Sequence, residues 1–358
     1  MRILFMAGRE LTYQRNDVLL RAFRRLGQVE VVENKHPSRS LIRNSFWIAL
    51  AALPKLLAKK YDLIFVGFYG HLLMLPVGLL ARLRRIPVLF DVFVSNYDTL
   101  VQDRQTISPN SPGAKLAGWL DKTTCALATH LLLDTPLHVD YFVETYHLPP
   151  EKFSAIPVGC NEDIFTPKTV IPPSAPPTKV LYYCTYLPLH GADIVVHAAE
   201  QLKNLPIHFH LIGDGQEYEK VRAEAATLPN ITFSPSVSLE TLRDEIASAD
   251  ICLGGHFGVS DKAGRVVPGK VYQILAMARP LIASNSPANG ALLNDGGALL
   301  VPAGDASALS QAILRLHTDP AFRAKLARDG FEHYQTTCSE GIIRGKLQNI
   351  VAHIHSDQ

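Results

Sequence analysis

Five prolines within thirteen residues, TPKTVIPPSAPPT from Thr166 to Thr178, deny that stretch a regular helix or a central strand. They divide the chain into two halves written in the same pattern. Before them, short apolar runs at Ile3 to Met6, Val29 to Val32, Leu63 to Phe68, Pro87 to Phe90, Leu131 to Leu133 and Lys152 to Pro157 read as strands. Segments of helical spacing, Asn16 to Leu26, Phe46 to Lys60 and Lys115 to Thr129, lie between them. After the prolines the pattern restarts: strands at Val180 to Cys184, His208 to Ile212, Ile231 to Phe233 and Ile251 to Leu253 alternate with helices at Ala192 to Leu202, from Glu217, and at Leu239 to Ala247. Strand and helix in strict alternation predict the α/β class, with parallel sheets. The expected architecture is two Rossmann-like doubly wound domains facing across a cleft: residues 1–168, a linker at 169–178, residues 179–335, and a C-terminal helix, 336–358, packing back on the first domain.

Composition narrows the possibilities. At 47% hydrophobic and 19% charged residues, 358 residues build a folded protein with ample core. Five scattered cysteines with no C-x-x-C pair point to free thiols in a reducing compartment, so a cytoplasmic location is expected. Met1 to Glu10 holds a short apolar run that reads as a first strand rather than a signal peptide. Leu63 to Ala81 is uncharged for 19 residues, but its glycines and Pro76 favour a strand, a loop and a buried helix over a membrane span. Net charge is +2, yet residues 1 to 130 carry 18 Lys plus Arg against 9 Asp plus Glu. That positive first half suits an anionic acceptor or membrane surface, and the Phe46 to Lys60 helix could lie in a membrane interface as well as on a sheet. No nucleic-acid motif accompanies the charge.

One stretch concentrates chemistry: CLGGHFGVSDKAGRVVPGKVYQILAMARPLIA, Cys252 to Ala283. It leaves a strand through a glycine-rich segment read as flexible, starts a helix near Pro268 and ends that helix before Pro280. A helix N-terminus at the carboxyl edge of a parallel sheet attracts anions. Arg265 and Lys270 place two cations there, against the helix dipole unless an anion is bound, and Gln273 one turn on can bond hydroxyls. An ordinary loop and amphipathic helix with solvated cations is the plain alternative. In the first half, Asp91 and Asp98 follow a strand end and are candidates for acid, base or hydroxyl binding, or for helix capping.

Several passages in order resemble the large retaining glycosyltransferase family 4 (group 1) of the GT-B fold: PVGCNEDIF at Pro157, LIGDGQEYEKV at Leu211, IASADICLGGHFG, PGKVYQILAMARPLIAS and PAGDASALSQAI. The resemblance implies transfer of a sugar from a nucleotide diphosphate sugar, used as co-substrate, to a carbohydrate or lipid-linked acceptor, with retention and no metal. It implies a donor set of Thr185, His190, Gly191, Gly213, Asp214, Gly215, Gly258, Tyr272 and Gln273, with Lys270 and Arg265 on the diphosphate. Gly8, Arg9, Asp91 and Asp98 fall on the acceptor side, Asp91 and Asp98 as catalytic candidates. Surface polysaccharide or glycolipid assembly is the expected setting. The sequence departs from the family where Gln273 replaces the second Glu of its pair, and where Cys184, Thr185, His190 and Gly191 replace a Gly-Arg and a Lys-Gly. A catalytically silent partner subunit is therefore the rival. A dinucleotide oxidoreductase is disfavoured because Met6 to Glu10 holds no G-x-G-x-x-G, and a pyridoxal phosphate enzyme would have only Lys270 for its Schiff base.

Overall fold

The computed structural model describes residues 1–34, 40–167, 176–294 and 296–356. Most of the proposed linker, residues 169–175, lies outside the described residues. The chain forms two compact units, Met1–Gly159 with Glu340–Gln358, and Cys160–Ser339.

The first unit runs β1 (Arg2–Ala7), α1 (Gln14–Leu26), β2 (Gln28–Val32), α2 (Leu41–Ala58), β3 (Leu63–Gly67), α3 (His71–Leu83), β4 (Val88–Asp91), α4 (Pro112–Leu127), β5 (His130–Leu133), α5 (Pro136–Tyr146) and β6 (Phe153–Ala155). Its six strands are all parallel, in the order β2-β1-β3-β4-β5-β6, with Ile3 opposite Leu63 and Ile64 opposite Val88. Alternate residues of an apolar strand face opposite ways, so both faces need a cover. Leu4, Met6, Ile64, Val66 and Phe90 pack with residues of α2, α3 and α5. Ile3, Phe5, Leu63 and Phe65 pack on the other side with α1 and with Ile343, Leu347, Val351 and Ile354 of the last helix. Helix starts are written locally. Ser111 and Thr135 accept hydrogen bonds from Ala114 N and His138 N, each ahead of a proline in the first turn.

The second unit contains β7 (Thr178–Tyr183), α6 (Ala192–Gln201), β8 (Ile207–Ile212), α7 (Tyr218–Glu224), β9 (Ile231–Ser234), α8 (Leu239–Ser248), β10 (Ile251–Gly255), α9 (Asp261–Arg265), α10 (Gly269–Ala276), β11 (Leu281–Ser284), α11 (Pro287–Leu293), β12 (Leu299–Val301), α12 (Ala306–Thr318) and α13 (Pro320–Thr337). The strand order is β12-β11-β10-β7-β8-β9, again all parallel. The final helix, α14 (Glu340–Ser356), belongs to the first unit, where Arg21 of α1 forms an ion pair with Glu340 at 2.6 Å.

The interior of the first unit corrects one expectation. Asp91, taken from the sequence as a catalytic candidate on an open strand edge, is wholly buried against an equally buried Arg15. The Arg15 guanidinium meets the carboxylate at 2.8 to 3.2 Å through Nη2 and Nε, and its Nη1 donates to Ile156 O at 2.6 Å and Pro157 O at 3.0 Å. Burial pushes the Asp91 carboxyl upward and Arg15 opposes that. The pair fixes α1 to the ends of β4 and β6, and it is a structural feature, not a proton donor to a substrate. Arg15 lies just before the helical segment Asn16 to Leu26 read from the sequence, in the first turn of the longer α1. It stands three and four residues before Val18 and Leu19, on the buried stripe. Removing only one partner strands a buried charge, so Arg15→Met is expected to cost about 3 to 5 kcal/mol in urea unfolding. A loss below about 1 kcal/mol would show that the pair is not holding the unit.

Candidate functional site

In an open parallel sheet, ligands bind outside the carboxyl ends of the strands where strand order reverses. In the second unit that reversal falls between β7 and β10, which are adjacent although far apart in sequence. The segments leaving them are held together by backbone. Phe257 N donates to His190 O at 3.1 Å, and Gly258 N donates to Leu189 O at 3.2 Å. Gly191 has φ +63°, and a Cβ there would lie 2.3 Å from Gly258 N. The GDG turn is pinned in the same way: Gly213 and Gly215 have φ +130° and +146°, and a Cβ on either would come within 1.9 Å of the carbonyl oxygen of Cys184 or Thr185. Only glycine permits those approaches. Between them Asp214 is exposed and accepts a hydrogen bond from Ser236 Oγ at 3.0 Å.

Lys270 enters this edge from the first turn of α10. It is buried, its Nζ stands 4.3 Å from the Tyr182 ring centroid and 5.8 Å from that of Tyr183, and it has no hydrogen-bond partner among the described residues. Burial, opposed by Cys184, pulls its pKa from 10.5 to about 8. Two imidazoles lie beside it. His190 and His256 stack with centroids 5.4 Å apart. Leu187 N donates to His190 Nδ1 at 3.3 Å, so that nitrogen is an acceptor and the ring is neutral. Burial first, then the neighbouring Lys270, holds both histidines well below their usual range. Buried Asn289 steadies the end of β10, donating from Nδ2 to Gly255 O at 3.1 Å and Ser284 O at 3.0 Å.

One positive charge beside two neutral rings and a helix start, where the first N–H groups lack intrahelical acceptors, is an arrangement suited to an anion. Gln273, one turn into α10, is buried with its Oε1 accepting from Tyr183 Oη at 2.9 Å, which leaves its amide N–H groups as donors. Thr185 is exposed at the mouth of the β7 segment. Arg265 ends α9, the helix packed against the Pro188–His190 turn.

Two expectations change, and one residue was missed. Tyr272, placed near the ribose or sugar, has its side chain in the core at 1% exposure; Tyr182 and Tyr183 face Lys270 instead. The segment read as flexible is ordered: Gly254 and Gly255 belong to β10 and Gly264 to α9, which Ser260 caps through Ala263 N. His256 was not singled out. A histidine directly after a strand that ends in two glycines was the available signal, since only the folded register brings it to His190.

In the first unit the order reverses between β1 and β3. Gly8 follows β1, donates to Phe68 O at 3.0 Å and could not carry a Cβ, which would fall 2.0 Å from Tyr69 O. Arg9 pairs with Glu10 at 3.1 Å, and both line a pocket of about 220 Å³ with Asn34 and Asn44. Asp98 is 1% exposed in a π-helical turn, Asp98–Asp103, and its N–H donates to Ser95 Oγ, itself bonded to the buried carboxylate of Asp121. A catalytic role for Asp98 is therefore corrected along with that of Asp91. Among the described residues no cluster of His, Cys, Asp and Glu has the form of a metal site.

Residues 177–319 match the family model for glycosyl transferases group 1. No curated protein matches the chain. Sucrose-phosphate synthase from Thermosynechococcus elongatus superimposes on this chain with a TM-score of 0.75 and 17% identity over 100% of both chains. Anabaena HepE, solved with UDP, gives 0.71 and 14% over 99% of this chain and 100% of its own. WaaG, a glycosyltransferase involved in lipopolysaccharide biosynthesis, gives 0.66 and 15% over 98% and 99%. The two six-stranded parallel sheets are those of the GT-B fold.

Lys270 gives the site a pH signature. Its folded pKa lies below its unfolded value, so the ligand-free protein gains stability as pH rises from about 8 towards 10.5, where the folded state sheds the proton first. Anion binding needs the charged form. Affinity for inorganic pyrophosphate is expected to fall by up to about tenfold per pH unit above about 8, with proton uptake on binding near that pH. Calorimetry in buffers of different ionisation enthalpy measures the uptake, and Lys270→Met should abolish it.

Proposed function

We propose that this protein is a group 1 glycosyltransferase, moving a sugar from a nucleoside diphosphate sugar to an acceptor with retention at the anomeric carbon, without a metal. The observation that carries the reading is the buried Lys270 ammonium, without a hydrogen-bond partner among the described residues, at the helix start beside the β7 and β10 carboxyl ends. HepE has been solved with UDP and with UDP-glucose, which supports a nucleotide sugar of that class as donor.

Chemically, the departing nucleoside diphosphate gathers negative charge as the glycosidic bond breaks, and catalysis rests on donors already aimed at it. Lys270 and the first N–H groups of α10 supply that field, and Arg265 adds a second cation. His190 and His256, held neutral, donate N–H hydrogen bonds without adding charge repulsion to Lys270. In front-face displacement the leaving phosphate oxygen itself takes the acceptor's proton, so no carboxylate base is required. That agrees with Asp91 and Asp98 being enclosed. Gln273 offers amide N–H groups to ribose or sugar hydroxyls where the family usually has a carboxylate.

The acceptor falls to the first unit, at the Gly8 and Arg9 turn, and its cationic character suits a carbohydrate or lipid-linked acceptor carrying negative charge, as in polysaccharide or glycolipid assembly. We place the reaction in the cytoplasm, where cysteine thiols stay reduced.

A catalytically silent subunit is the second reading, favoured by Gln273 standing where a carboxylate is usual. Lys270→Ala is expected to weaken UDP or another nucleoside diphosphate by roughly 1.5 to 3 kcal/mol, the worth of a charged hydrogen bond. Unchanged affinity in calorimetry rejects the site. If the wild type transfers or hydrolyses a donor and Gln273→Glu slows it, the amide belongs to the active site. If only the Glu variant turns over, the silent reading stands.

A further inference from the structure

Nine of the large apolar side chains exposed on the described surface lie on three adjacent helices of the first unit: Ile42, Phe46, Trp47, Leu50 and Leu57 on α2, Leu79 and Leu83 on α3, and Leu116 and Trp119 on α4. Helix α3 packs against both α2 and α4, so the three form one layer over a single face of the sheet. The other exposed apolar residues are scattered singly, which is ordinary; a contiguous field of this size is not. Leu83 is 82% exposed, and the chain's two tryptophans, at 50% and 54%, are both on this layer.

The exposed charges on the three helices themselves are of one sign. Of the basic residues there and just after α2 and α3, only Lys55 and Lys59 meet a carboxylate among the described residues, Glu30 of β2, at 2.6 and 2.9 Å. Arg43, Lys55, Arg82, Lys115 and Lys122 lie on the three helices, Lys59, Lys60, Arg84 and Arg85 follow α2 and α3, and the one acid on these helices, Asp121, is fully buried. Arg84 Nη1 donates to Leu57 O at 2.7 Å, so the ends of α2 and α3 and their basic residues are held side by side.

We propose that this three-helix face docks on an anionic lipid bilayer, lying in the interface with its tryptophans and leucines among the headgroups and its lysines and arginines on lipid phosphates. Three facts select that occupant. Helix α2 is long and apolar enough to cross a membrane, but Ile48, Ala49, Ala52 and Leu56 on its inner side are packed into the core of the sheet, so it lies flat and does not span. A second copy of the chain would bring two identical basic surfaces together in a two-fold contact. A plane of exposed indoles, leucines and cations is the pattern of a membrane interface, where long cationic side chains reach the phosphates from an apolar bed. The inference goes beyond the donor site and does not depend on it.

The two tryptophans provide the measurement. Phosphatidylcholine vesicles containing phosphatidylglycerol are expected to blue-shift the intrinsic emission of the whole chain and to carry it upward in flotation, while pure phosphatidylcholine vesicles do so at least about tenfold less well. Trp47→Glu with Trp119→Glu is expected to lower partitioning by about tenfold or more while the protein keeps its melting temperature and its nucleotide affinity. Arg82→Glu with Arg85→Glu keeps both indoles and should remove the preference for anionic lipid and its sensitivity to salt. No emission shift and no flotation at low salt overturns the proposal. So does a dimer in lipid-free buffer that the tryptophan variant dissociates, which would assign the face to a second copy.

Discussion

A parallel sheet has a direction, and that direction organises each unit. Because all strands run one way, every strand's carboxyl end opens on the same edge, and the segments leaving those ends must share it. Where strand order reverses, two segments diverge and a crevice opens between them. In the second unit this occurs beside β7 and β10. Backbone hydrogen bonds from Phe257 and Gly258 to the turn at Leu189 and His190 hold the edge in shape, and glycines at 191, 213 and 215 allow main chains to approach where a Cβ would collide. The rigid frame comes first, and Lys270 is aimed by it.

The protein buries charge in two contrasting ways. Arg15 and Asp91 are sealed together, and the remaining donors of the guanidinium are used by carbonyls at the ends of neighbouring strands. That satisfies both ions and makes them structural. Lys270 is equally shielded but faces aromatic rings and neutral imidazoles, and burial shifts its titration toward the neutral range. A buried cation supported only by ring faces is costly in the free protein, and an incoming anion relieves that cost. Stability is lower where ligand binding is strong.

Neutrality is the second theme of the donor edge. The two histidines are kept uncharged by enclosure and by Lys270 itself, and Gln273 is an amide whose oxygen is occupied by Tyr183. One cation therefore dominates the immediate field. The outer helices of the first unit follow the opposite rule, with many cations on an apolar bed in contact with solvent. Screening weakens each of those charges individually and leaves their sum.

The fold was legible because it rests on periodicity. Strand-like runs separated by helical spacing specify parallel α/β units, and Ser-Pro and Thr-Pro starts specify α4 and α5. Lys270 and the GDG turn were legible because glycine turns and a cation at a helix start are local patterns. Arg15 was missed because a lone cation beside an apolar stripe gives no sign of burial until its carboxylate is found 76 residues away. Asp91 and Asp98 looked exposed because a strand end is normally open, and what encloses them comes from α1 in one case and from the turn beside Asp121 in the other. The sequence by itself determined which residues could form each element and where an anion would be favoured. Tertiary structure alone decided which charges were paired, that His256 stacks on His190, and that Tyr183 bonds Gln273, since such contacts depend on strand register and on segments far apart in the chain.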